Sequence, residues 1–319
     1  MKIVAADIGG THARFALAEI VPGERPRLGP MKRYRTREHA GLASAWEKFA
    51  QESGEPLPRE AAVAIAAPIE GEVLRFMNSE WRIPRFGIAD ELGLERLTLL
   101  NDFGAVAFAV SVLADAELEL ISGPERLPRE GVISVIGPGT GLGVALLSRH
   151  GDDVHVIETE ASHIGFSPLD PEEEALADAI VARYGRASVE RIVSGPGLLD
   201  IYAFLGGAGN YDPNRAGELW TAAIDGTDVV AVHALDILVR CFGAATGDIS
   251  LAHGAMGVAI TGGLANRISP LLRSPAFSAR FTAKGRYHER MHRVAVALVS
   301  HAEPGLLGAA VAFEREHLG

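Results

Sequence analysis

Two glycine-rich turns in the sequence have the composition of anion-binding loops. The first spans residues 7–14 and the second spans Gly137–Gly143, and each follows a short apolar run. Glycines let the backbone approach a ligand closely and point several N–H groups at one atom. Each turn also holds a threonine, Thr11 or Thr140, whose hydroxyl is a further donor. Phosphate is the usual ligand of such loops, although a single turn is equally well explained as a tight hairpin without a ligand.

Neither turn has the spacing of a better-known nucleotide motif. No lysine follows the glycines, which argues against a P-loop. Gly139, Gly141 and Gly143 do not fit the pattern G-x-G-x-x-G, and the residues from Val144 onward have the character of a strand rather than a helix. A dinucleotide-binding dehydrogenase is therefore a weak interpretation.

Asp7 is the first residue of the first turn, and the presence of a negative charge there needs an explanation. A carboxylate in this place would repel a phosphate unless a cation lay between them. Magnesium held through water and phosphate oxygens would remove the conflict. The simpler alternative is an Asx-turn between Asp7 and the backbone that follows it.

A second carboxylate, Asp102, follows the apolar run Leu97–Leu100 together with Asn101. A carboxylate is a natural base for a hydroxyl group, and ligands of α/β folds bind at the carboxyl ends of strands. The residues alone favour a different role for Asp102, which is to cap the helix predicted over Phe103–Leu113.

The segments between these residues alternate between strand and helix patterns, which predicts an α/β fold. Strand, glycine turn and second strand occur twice, roughly 130 residues apart, which indicates a duplication. Asp170, Pro171 and Glu173 predict a helix start with a capping box. Further predicted elements are helices over Leu42–Gln51, Pro171–Tyr184 and Ala231–Thr246, and strands over Ile3–Ala6, Ala13–Ala18, Ala61–Ala67, Val132–Ile136 and Val258–Thr261.

The composition narrows the class of protein. A chain of 319 residues is long for one hydrophobic core and predicts two domains. A net charge of −11 without a basic cluster argues against nucleic acid as a partner. One cysteine allows neither an internal disulfide nor a multi-cysteine zinc site. Asp7 interrupts the first apolar run and Ala61–Ile69 is too short to span a membrane, so we expect a cytoplasmic protein without membrane contact.

Taken together, the glycine motifs resemble the phosphate and adenosine motifs of the actin-like sugar kinase superfamily. They are Asp7-Ile8-Gly9-Gly10-Thr11 with Arg14, Gly139-Thr140-Gly141-Leu142-Gly143, and Thr261-Gly262-Gly263. Further segments, in order over essentially the whole chain, are similar to those of the bacterial hexokinase-type glucokinases. They are Ala66-Ala67-Pro68-Ile69 with Gly71, Asn78, Leu100-Asn101-Asp102-Phe103, Glu160 with His163, Ser188-Val189-Glu190-Arg191, Ser194-Gly195-Pro196-Gly197 and Pro304-Gly305-Leu306-Leu307-Gly308.

The resemblance implies an architecture. It is the two-lobed actin-like ATPase fold, which is ribonuclease H-like, with a duplicated strand–turn–strand phosphate-binding unit and a cleft between the lobes. We expect residues 1–112 and 302–319 to form a smaller α/β lobe and residues 113–301 a larger one. A homodimer is common in the family and is our expectation for the assembly.

The resemblance also implies an activity, the transfer of the γ-phosphoryl group of ATP to the 6-hydroxyl of glucose with magnesium, which is the first step of glycolysis. Asp102 would be the catalytic base and Asp7 would hold Mg²⁺ through water. The hexose-binding residues implied are Asn78, Asn101, Glu160, His163 and Glu190. The nucleotide-binding residues implied are Asp7, Gly9, Gly10, Thr11, Arg14, Gly139, Thr140, Gly141, Gly262 and Gly263.

The chain departs from the family pattern at two places. Ala161 and Ser162 stand where glycines are usual, and His12 stands where asparagine is common. The alternatives left open are a hexose kinase of broader specificity and a sugar-sensing protein without catalysis on the same fold. Sensing relatives carry a DNA-binding segment before the first turn, whereas here that turn begins at Asp7.

A rival motif, His288-Glu289-Arg290-Met291-His292, matches the H-E-x-x-H pattern of zinc proteases. Its surroundings argue against a long helix that would carry two metal ligands. Gly285 lies just before it, and Val294–Val299 after it is predicted to be a strand. We expect no zinc site here.

Overall fold

The structure is a computed structural model that describes residues 1–76, 79–207, 211 and 216–319. Asn78, one of the expected hexose ligands, lies outside the described residues. The chain divides into two compact units. The first comprises residues 1–114, 156–158 and 301–319, and the second comprises residues 115–155 and 159–300.

The strands are numbered in chain order. They are β1 Lys2–Ile8, β2 His12–Glu19, β3 Arg27–Leu28, β4 Lys32–Arg35, β5 Glu60–Ile65, β6 Val73–Arg75, β7 Arg82–Pro84, β8 Arg96–Asn101, β9 Leu118–Ser122, β10 Gly131–Pro138, β11 Leu142–His150, β12 Asp153–Thr159, β13 Gly257–Ile260 and β14 Ala295–Val299.

The α-helices follow the same numbering, with short 3-10 segments between some of them. They are α1 Leu42–Ser53, α2 Ile88–Glu91, α3 Asp102–Val110, α4 Pro171–Tyr184, α5 Val189–Ile192, α6 Gly195–Tyr202, α7 Ala216–Asp225, α8 Val229–Ala252, α9 Gly263–Arg267, α10 Ser269–Leu272, α11 Pro275–Thr282, α12 His288–Met291 and α13 Pro304–His317.

The sheet of the first unit has the order β3-β2-β1-β5-β8, and β4 also pairs with β2. Strands β1 and β2 are antiparallel, while β1, β5 and β8 run parallel. On one face Phe15 packs against Trp46 and Phe49 of α1, with ring centroids 6.0 and 5.4 Å apart. On the other face α13 and α3 cover apolar strand residues such as Ile3 and Ala62. Burial on both faces explains the nearly continuous apolar runs of the central strands.

Helices α3 and α13 of the first unit pack against each other. Gly308 of α13 lies so close to the carbonyl oxygen of Ala105 in α3 that a Cβ atom at residue 308 would overlap it. Helix backbones can approach this closely only where a side chain is absent. The two helices carry site residues at their N-terminal ends, so this contact also sets where those residues lie.

The sheet of the second unit has the order β12-β11-β10-β13-β14-β9. Strands β10 and β11 are antiparallel, whereas β10, β13 and β14 run parallel. The series β11-β10-β13-β14 therefore repeats the pairing sense of β2-β1-β5-β8 in the first unit. The duplication predicted from the two glycine turns is confirmed at the level of sheet topology.

Helix α8 is the longest helix among the described residues and extends beyond the predicted Ala231–Thr246 at both ends. By length and composition it could cross a membrane, but 67% of its most apolar stretch is buried inside the protein. Its buried side chains, such as Leu235, Leu238 and Phe242, belong to the core of the second unit. Helix α8 therefore has the burial expected of a core helix.

The predicted start of α4 is confirmed, with one change in its capping. Asp170 accepts a hydrogen bond from the Glu173 backbone N–H at 2.9 Å, and Pro171 is the first helical residue. Glu173 Oε2 accepts from the N–H of Leu169 at 2.9 Å rather than from that of Asp170. Because Glu173 is fully buried and also pairs with Arg280 at 2.6 Å, its carboxylate is held one residue further back than in an ordinary capping box.

Candidate active site

The end of β1 carries an ion pair. Asp7 and Arg14 are opposite each other in the antiparallel β1–β2 pair, and Arg14 Nη1 donates to Asp7 Oδ2 at 2.9 Å. Arg14 Nε also lies 3.6 Å from Glu303 Oε2. One guanidinium is therefore shared by two carboxylates, and the negative charge that Asp7 brings to the turn is partly compensated within the protein.

Burial opposes the ionisation of both carboxylates. It raises the pKa of Asp7, and the charge and hydrogen bond of Arg14 act in the opposite direction. Burial also raises the pKa of Glu303. The charge of Arg14 lowers this pKa, and the charge of Asp7 raises it. Gly305 packs on Asp7, since a Cβ atom at residue 305 would lie 3.0 Å from Asp7 Cγ. Glu303 and Gly305 were not among the expected site residues, although Gly305 lies in a segment of family resemblance.

The first glycine turn is held by backbone and hydroxyl contacts. The N–H of Gly9 donates to the carbonyl of His12 at 2.9 Å, and the Thr36 hydroxyl donates to the carbonyl of Gly10 at 2.7 Å. Thr11 is exposed, and its carbonyl accepts from the Thr36 N–H at 3.0 Å. Thr36, the residue after β4, therefore fixes the turn, while Thr11 at the tip of the turn stays exposed.

Basic residues surround this turn on β2 and β4. Arg14 and Arg33 are paired across the two strands, as are His12 and Arg35. Burial lowers the pKa of His12, and the charges of Arg33, Arg14 and Arg35 lower it further. His12 with a lowered pKa therefore adds little positive charge of its own to the guanidinium groups of Arg14, Arg33 and Arg35.

The second glycine turn is covered by Glu190. Its Oε2 accepts a hydrogen bond from the Leu142 N–H at 3.0 Å, and a Cβ atom on Gly141 would overlap the carboxylate. The side chain of Glu190 is 20% exposed, so it is not the solvated helix residue that the sequence without a family resemblance indicates. The N–H of Gly195 donates to the carbonyl of Gly139 at 2.7 Å, which ties the start of α6 to the turn.

Three of the expected hexose ligands come together in the second unit. His163 Nε2 lies 3.6 Å from Glu160 Oε2 and 3.9 Å from Glu190 Oε1. Glu160 directly precedes a short 3-10 helix, Ala161–His163, whose curvature brings residues 160 and 163 to the same side. Because Ala161 and Ser162 adopt this turn with backbone angles open to any residue, the departure from family glycines does not separate Glu160 from His163.

The third glycine motif lies beside the second turn. Gly262 has a φ of 100° between β13 and α9, a conformation that favours glycine. A Cβ atom at residue 262 would lie 3.2 Å from the carbonyl oxygen of Pro138. Gly262 therefore lies beside the residue that precedes Gly139 in the second turn.

Asn101 and Asp102 stand at the junction of β8 and α3. Asn101 is the N-cap of α3, and its Oδ1 accepts from the N–H groups of Phe103 and Gly104 at 2.8 and 3.3 Å. The expectation from the residues alone, that Asp102 is the cap, is wrong. Asp102 is the first helical residue, and its Oδ1 accepts from the Phe103 N–H at 2.9 Å. With Asn101 as the cap, Asp102 need not serve that role.

The pKa of Asp102 is raised to about 7. Burial is the largest cause, the negative charges of Asp7 and Glu158 add to it, and backbone hydrogen bonds oppose it. The helix N-terminus by itself favours the charged form of Asp102 and would lower its pKa. Since the pKa is raised, the effect of burial is larger than the effect of the helix dipole. A carboxylate with this pKa can accept a proton near neutral pH, which is what a general base requires.

The rival histidine motif lies on a short helix and the residue that follows it. Helix α12 is four residues long, and the Nε2 atoms of His288 and His292 lie 3.1 Å apart. The Nδ1 of His288 lies 2.9 Å from the carbonyl oxygen of Thr282. Within the described part of the chain, no group of three or more histidine, cysteine, aspartate or glutamate residues is arranged to hold a metal ion.

Known proteins match this chain over nearly its whole length. The family model described as Glucokinase matches residues 4–316, and a glucokinase from Zymomonas mobilis is 44% identical over 99% of both chains. The chain belongs to the glucokinase family. A glucokinase from a Caulobacter strain is 37% identical, covering 97% of this chain and 94% of the relative. The protein is therefore an ATP-dependent hexose kinase, as the sequence predicted.

Solved structures confirm the fold expected of a glucokinase. The crystal structure of a glucokinase from an Antarctic psychrotroph matches with a TM-score of 0.84 and 27% identity, covering 98% of this chain and 99% of that one. A ROK-family glucokinase from Streptomyces griseus, in complex with glucose and AMPPNP, matches with a TM-score of 0.67 and 19% identity over 97% and 98% of the two chains. The second likeness bears on the fold alone. This glucokinase has the two-lobed actin-like ATPase fold.

Proposed function

We propose that Asp102 is the base with which this glucokinase transfers the γ-phosphoryl group of ATP to the 6-hydroxyl of glucose. The observation that carries the assignment is the position of Asp102 at the end of β8 with its pKa raised to about 7. Phosphoryl transfer needs little covalent chemistry from the protein, and a positioned base beside the acceptor hydroxyl is one of its recurring parts. A carboxylate with this pKa is about half ionised at pH 7 and mostly ionised at pH 8, and it is basic enough to take the proton.

Asn101 has one amide hydrogen left for the sugar in this proposal. Its Oδ1 caps α3, and one Nδ2 hydrogen is directed to the carbonyl of Ala67 at 3.3 Å. The second Nδ2 hydrogen can donate to a hydroxyl of the hexose. The capping bonds fix the side chain, so Asn101 would bind the sugar with little further loss of conformational freedom.

Glu160, His163 and Glu190 supply the remaining described hexose ligands. The Oε2 of Glu190 is engaged by the Leu142 N–H, whereas its Oε1 faces His163. The side chain of Glu160 is 65% exposed and both of its oxygens can accept from sugar hydroxyls. We assign these three residues to hexose binding, together with Asn78, which lies outside the described residues.

The glycine turns and their neighbours are assigned to the nucleotide. Gly9, Gly10, Thr11 and Arg14 form the first phosphate site in this proposal, with exposed threonine and open backbone at the tip. The second site is formed by Gly139, Thr140, Gly141, Gly262 and Gly263. Backbone N–H groups in such turns bind phosphate oxygens without side-chain charges of their own.

The residues at the end of β1 fit magnesium. Mg²⁺ prefers oxygen ligands and is usually held by one or two carboxylates, with waters and substrate phosphates completing the shell. Asp7 and Glu303 are two carboxylates that share the Arg14 guanidinium, and Asp7 is the residue that we propose holds the ion through water. The chemistry that the ion supplies when bound is neutralisation of charge on the phosphates.

The base assignment predicts a pH dependence. Asp102 must be ionised to accept a proton, and its pKa is raised to about 7, so kcat/KM for glucose is expected to fall below neutral pH. The fall should approach tenfold per pH unit on the acid side, because one proton blocks the base. A profile from pH 5 to 9 at saturating ATP checks this, and a rate that stays constant down to pH 5 would contradict the assignment.

The substrate is tested by a coupled assay over glucose, mannose, fructose and glucosamine with ATP, ADP or polyphosphate as donor. We expect the highest kcat/KM with glucose and ATP, and we expect chelation of magnesium with EDTA to stop turnover. Equal efficiency with several hexoses would favour the kinase of broader specificity. Sugar binding without turnover for any pair would favour the sensing protein.

Several expectations from the sequence stay predictions. We propose a role in glycolysis, a cytoplasmic location and a homodimer without nucleic-acid or membrane partners. We also propose that the functional lobes are residues 1–112 with 302–319 and residues 113–301. Light scattering of the purified enzyme checks the dimer, since a dimer would have twice the 33.8 kDa mass of the chain.

A further inference from the structure

Glu158 lies against the residues that carry the proposed chemistry. It belongs to β12, and within the first unit its Oε1 accepts a hydrogen bond from the backbone N–H of Asn101 at 2.7 Å. The same carboxylate packs on Gly104 in the first turn of α3, where an added Cβ atom would lie 2.5 Å from Oε1. The Glu158 carboxylate therefore contacts Asn101, which precedes Asp102, and Gly104, which follows Asp102 by two positions.

These contacts have a mechanical consequence. The Asn101 N–H lies at the point where β8 ends, and Ile65 of β5 is opposite Asn101 in the parallel pair. A charge-assisted hydrogen bond at this point is stronger than one between neutral groups. It fixes the backbone one residue before Asp102, so it restricts the direction in which the Asp102 side chain leaves the strand. A carboxylate at the start of a helix is also favourable by charge.

The contacts have an electrostatic consequence as well. The two charges with the largest effect on the pKa of Asp102 come from Asp7 on β1 and Glu158 on β12, and both raise it. Asp7 is paired with Arg14, and Glu303 from the start of α13 lies on the other side of that guanidinium. The charge of Asp7 is therefore partly compensated. Glu158 is a like charge whose removal can be tested without disturbing the Asp7–Arg14 pair.

We propose that Glu158 is a positioning residue for phosphoryl transfer, which holds the backbone at Asn101 and keeps a negative charge beside Asp102. The proposal rests on the function assigned to Asp102 above. Neither the family resemblance nor the spacing of motifs in the sequence singled out Glu158. It acts through Asp102 and Asn101, and no contact of its own with the substrate is implied.

The test separates the two effects with two substitutions. Glu158→Gln keeps an oxygen that can accept from the Asn101 N–H but removes the charge. The acid limb is the part of the pH profile in which kcat/KM falls as the pH is lowered. We expect Glu158→Gln to move the acid limb to lower pH by roughly half a unit or more. Its kcat at pH 8 should be lowered less than about threefold. Glu158→Ala removes both contacts and is expected to move the limb likewise and to lower kcat by about tenfold or more.

Two further variants complete the design. Asp153→Asn removes one negative charge from the exposed start of the same strand, about 16 Å away at the usual rise per residue, which exceeds the screening length of about 8 Å at physiological salt. It is expected to leave the profile unchanged. Gly104→Ala, which places a methyl group where the Glu158 carboxylate lies, is expected to reproduce the kcat loss of Glu158→Ala while leaving the charge of Glu158 in the chain.

The outcomes distinguish this proposal from the function on which it rests. If Asp102→Asn abolishes turnover but Glu158→Gln leaves the acid limb in place, the electrostatic role of Glu158 is wrong and the base assignment stands. If Glu158→Ala keeps the wild-type kcat, the positioning role is wrong. If Asp102→Asn retains turnover, the base assignment itself fails. A shift with Glu158→Gln and a kcat loss only with Glu158→Ala and Gly104→Ala support the proposal.

Discussion

Replacement of Gly308 with alanine is expected to lower the free energy of unfolding by about 3 kcal/mol or more, a large effect for one methyl group. The added Cβ would overlap the carbonyl oxygen of Ala105 in α3, so α3 and α13 must move apart. Helix propensity acts in the other direction, because alanine favours a helix over glycine by about 1 kcal/mol. A net destabilisation would therefore come from the contact between α3 and α13, because the helix propensity of alanine would by itself stabilise the protein.

Chemical denaturation measures this effect, followed by tryptophan fluorescence because Trp46 and Trp81 are buried in the first unit. The matched control is Gly217→Ala in α7, where an added Cβ meets nothing within 4 Å. The control should be neutral or slightly stabilising. An unchanged midpoint for Gly308→Ala would show that α3 and α13 are not held at the distance described.

The effect extends to the active site because of what the two helices carry. Helix α3 begins with Asp102, and α13 begins at Pro304 with Gly305 packed on Asp7. A separation of the helices would move both carboxylates relative to each other. We therefore expect any folded Gly308→Ala protein to lose catalytic efficiency as well as stability.

The repeated strand, turn and strand could be predicted because the signal is local. Short apolar runs stop at glycines in both places, and burial on both faces of a parallel sheet produces such runs. The antiparallel pairs β1–β2 and β10–β11 follow from turns too short for any other connection. Helix α1 followed from Leu42, Trp46 and Phe49 at helical spacing, and all three are buried.

The cap of α3 could not be predicted, for a reason that is not local. Asparagine and aspartate are nearly equal as N-cap residues, so the sequence Asn101-Asp102 leaves the start of the helix undecided by one residue. The register of β8 with β5, in which Ile65 is opposite Asn101, keeps Asn101 in the strand. Tertiary pairing therefore decides which side chain caps the helix and which is left for chemistry.

The contacts of Glu190, Glu303 and Glu158 were also beyond the sequence. Each joins positions that are far apart in the chain, such as Glu190 with Leu142 or Glu158 with Asn101. A glutamate has no local pattern that distinguishes a carboxylate packed on a glycine from a solvated one. A glycine inside a helix, such as Gly104, was the one available signal, because it often marks a close approach by another group.

Replacement of Asp102 with asparagine is expected to lower kcat by a factor of about 10² to 10⁴, the usual contribution of a positioned general base. The amide cannot take a proton from the acceptor hydroxyl, but it keeps the shape of the carboxylate and an oxygen for the Phe103 N–H. Glucose affinity is expected to stay within a few-fold of the wild type, because the other hexose ligands are unchanged. The loss should therefore appear in kcat rather than in binding.

Stability provides a second readout for the same variant. Because the pKa of Asp102 is raised to about 7 in the folded protein, its ionisation costs stability, and this cost builds up as the pH rises from the unfolded-state pKa of about 4 to about 7. The asparagine variant has no such cost, so its Tm at pH 8 should equal or exceed that of the wild type. A structural role for Asp102 would have the opposite effect. Asp90→Asn, a change at an exposed carboxylate of the first unit, is the control and should alter neither activity nor Tm.

The most direct test of Asp102 as the base is a paired measurement on Asp102→Asn. Calorimetry gives the dissociation constant for glucose, and a single-turnover experiment with ATP gives the rate of phosphoryl transfer at pH 8. If Asp102 is the base, glucose binding stays close to that of the wild type and the transfer rate is at least about a hundredfold lower. A variant that binds glucose and transfers phosphate at the wild-type rate would contradict it.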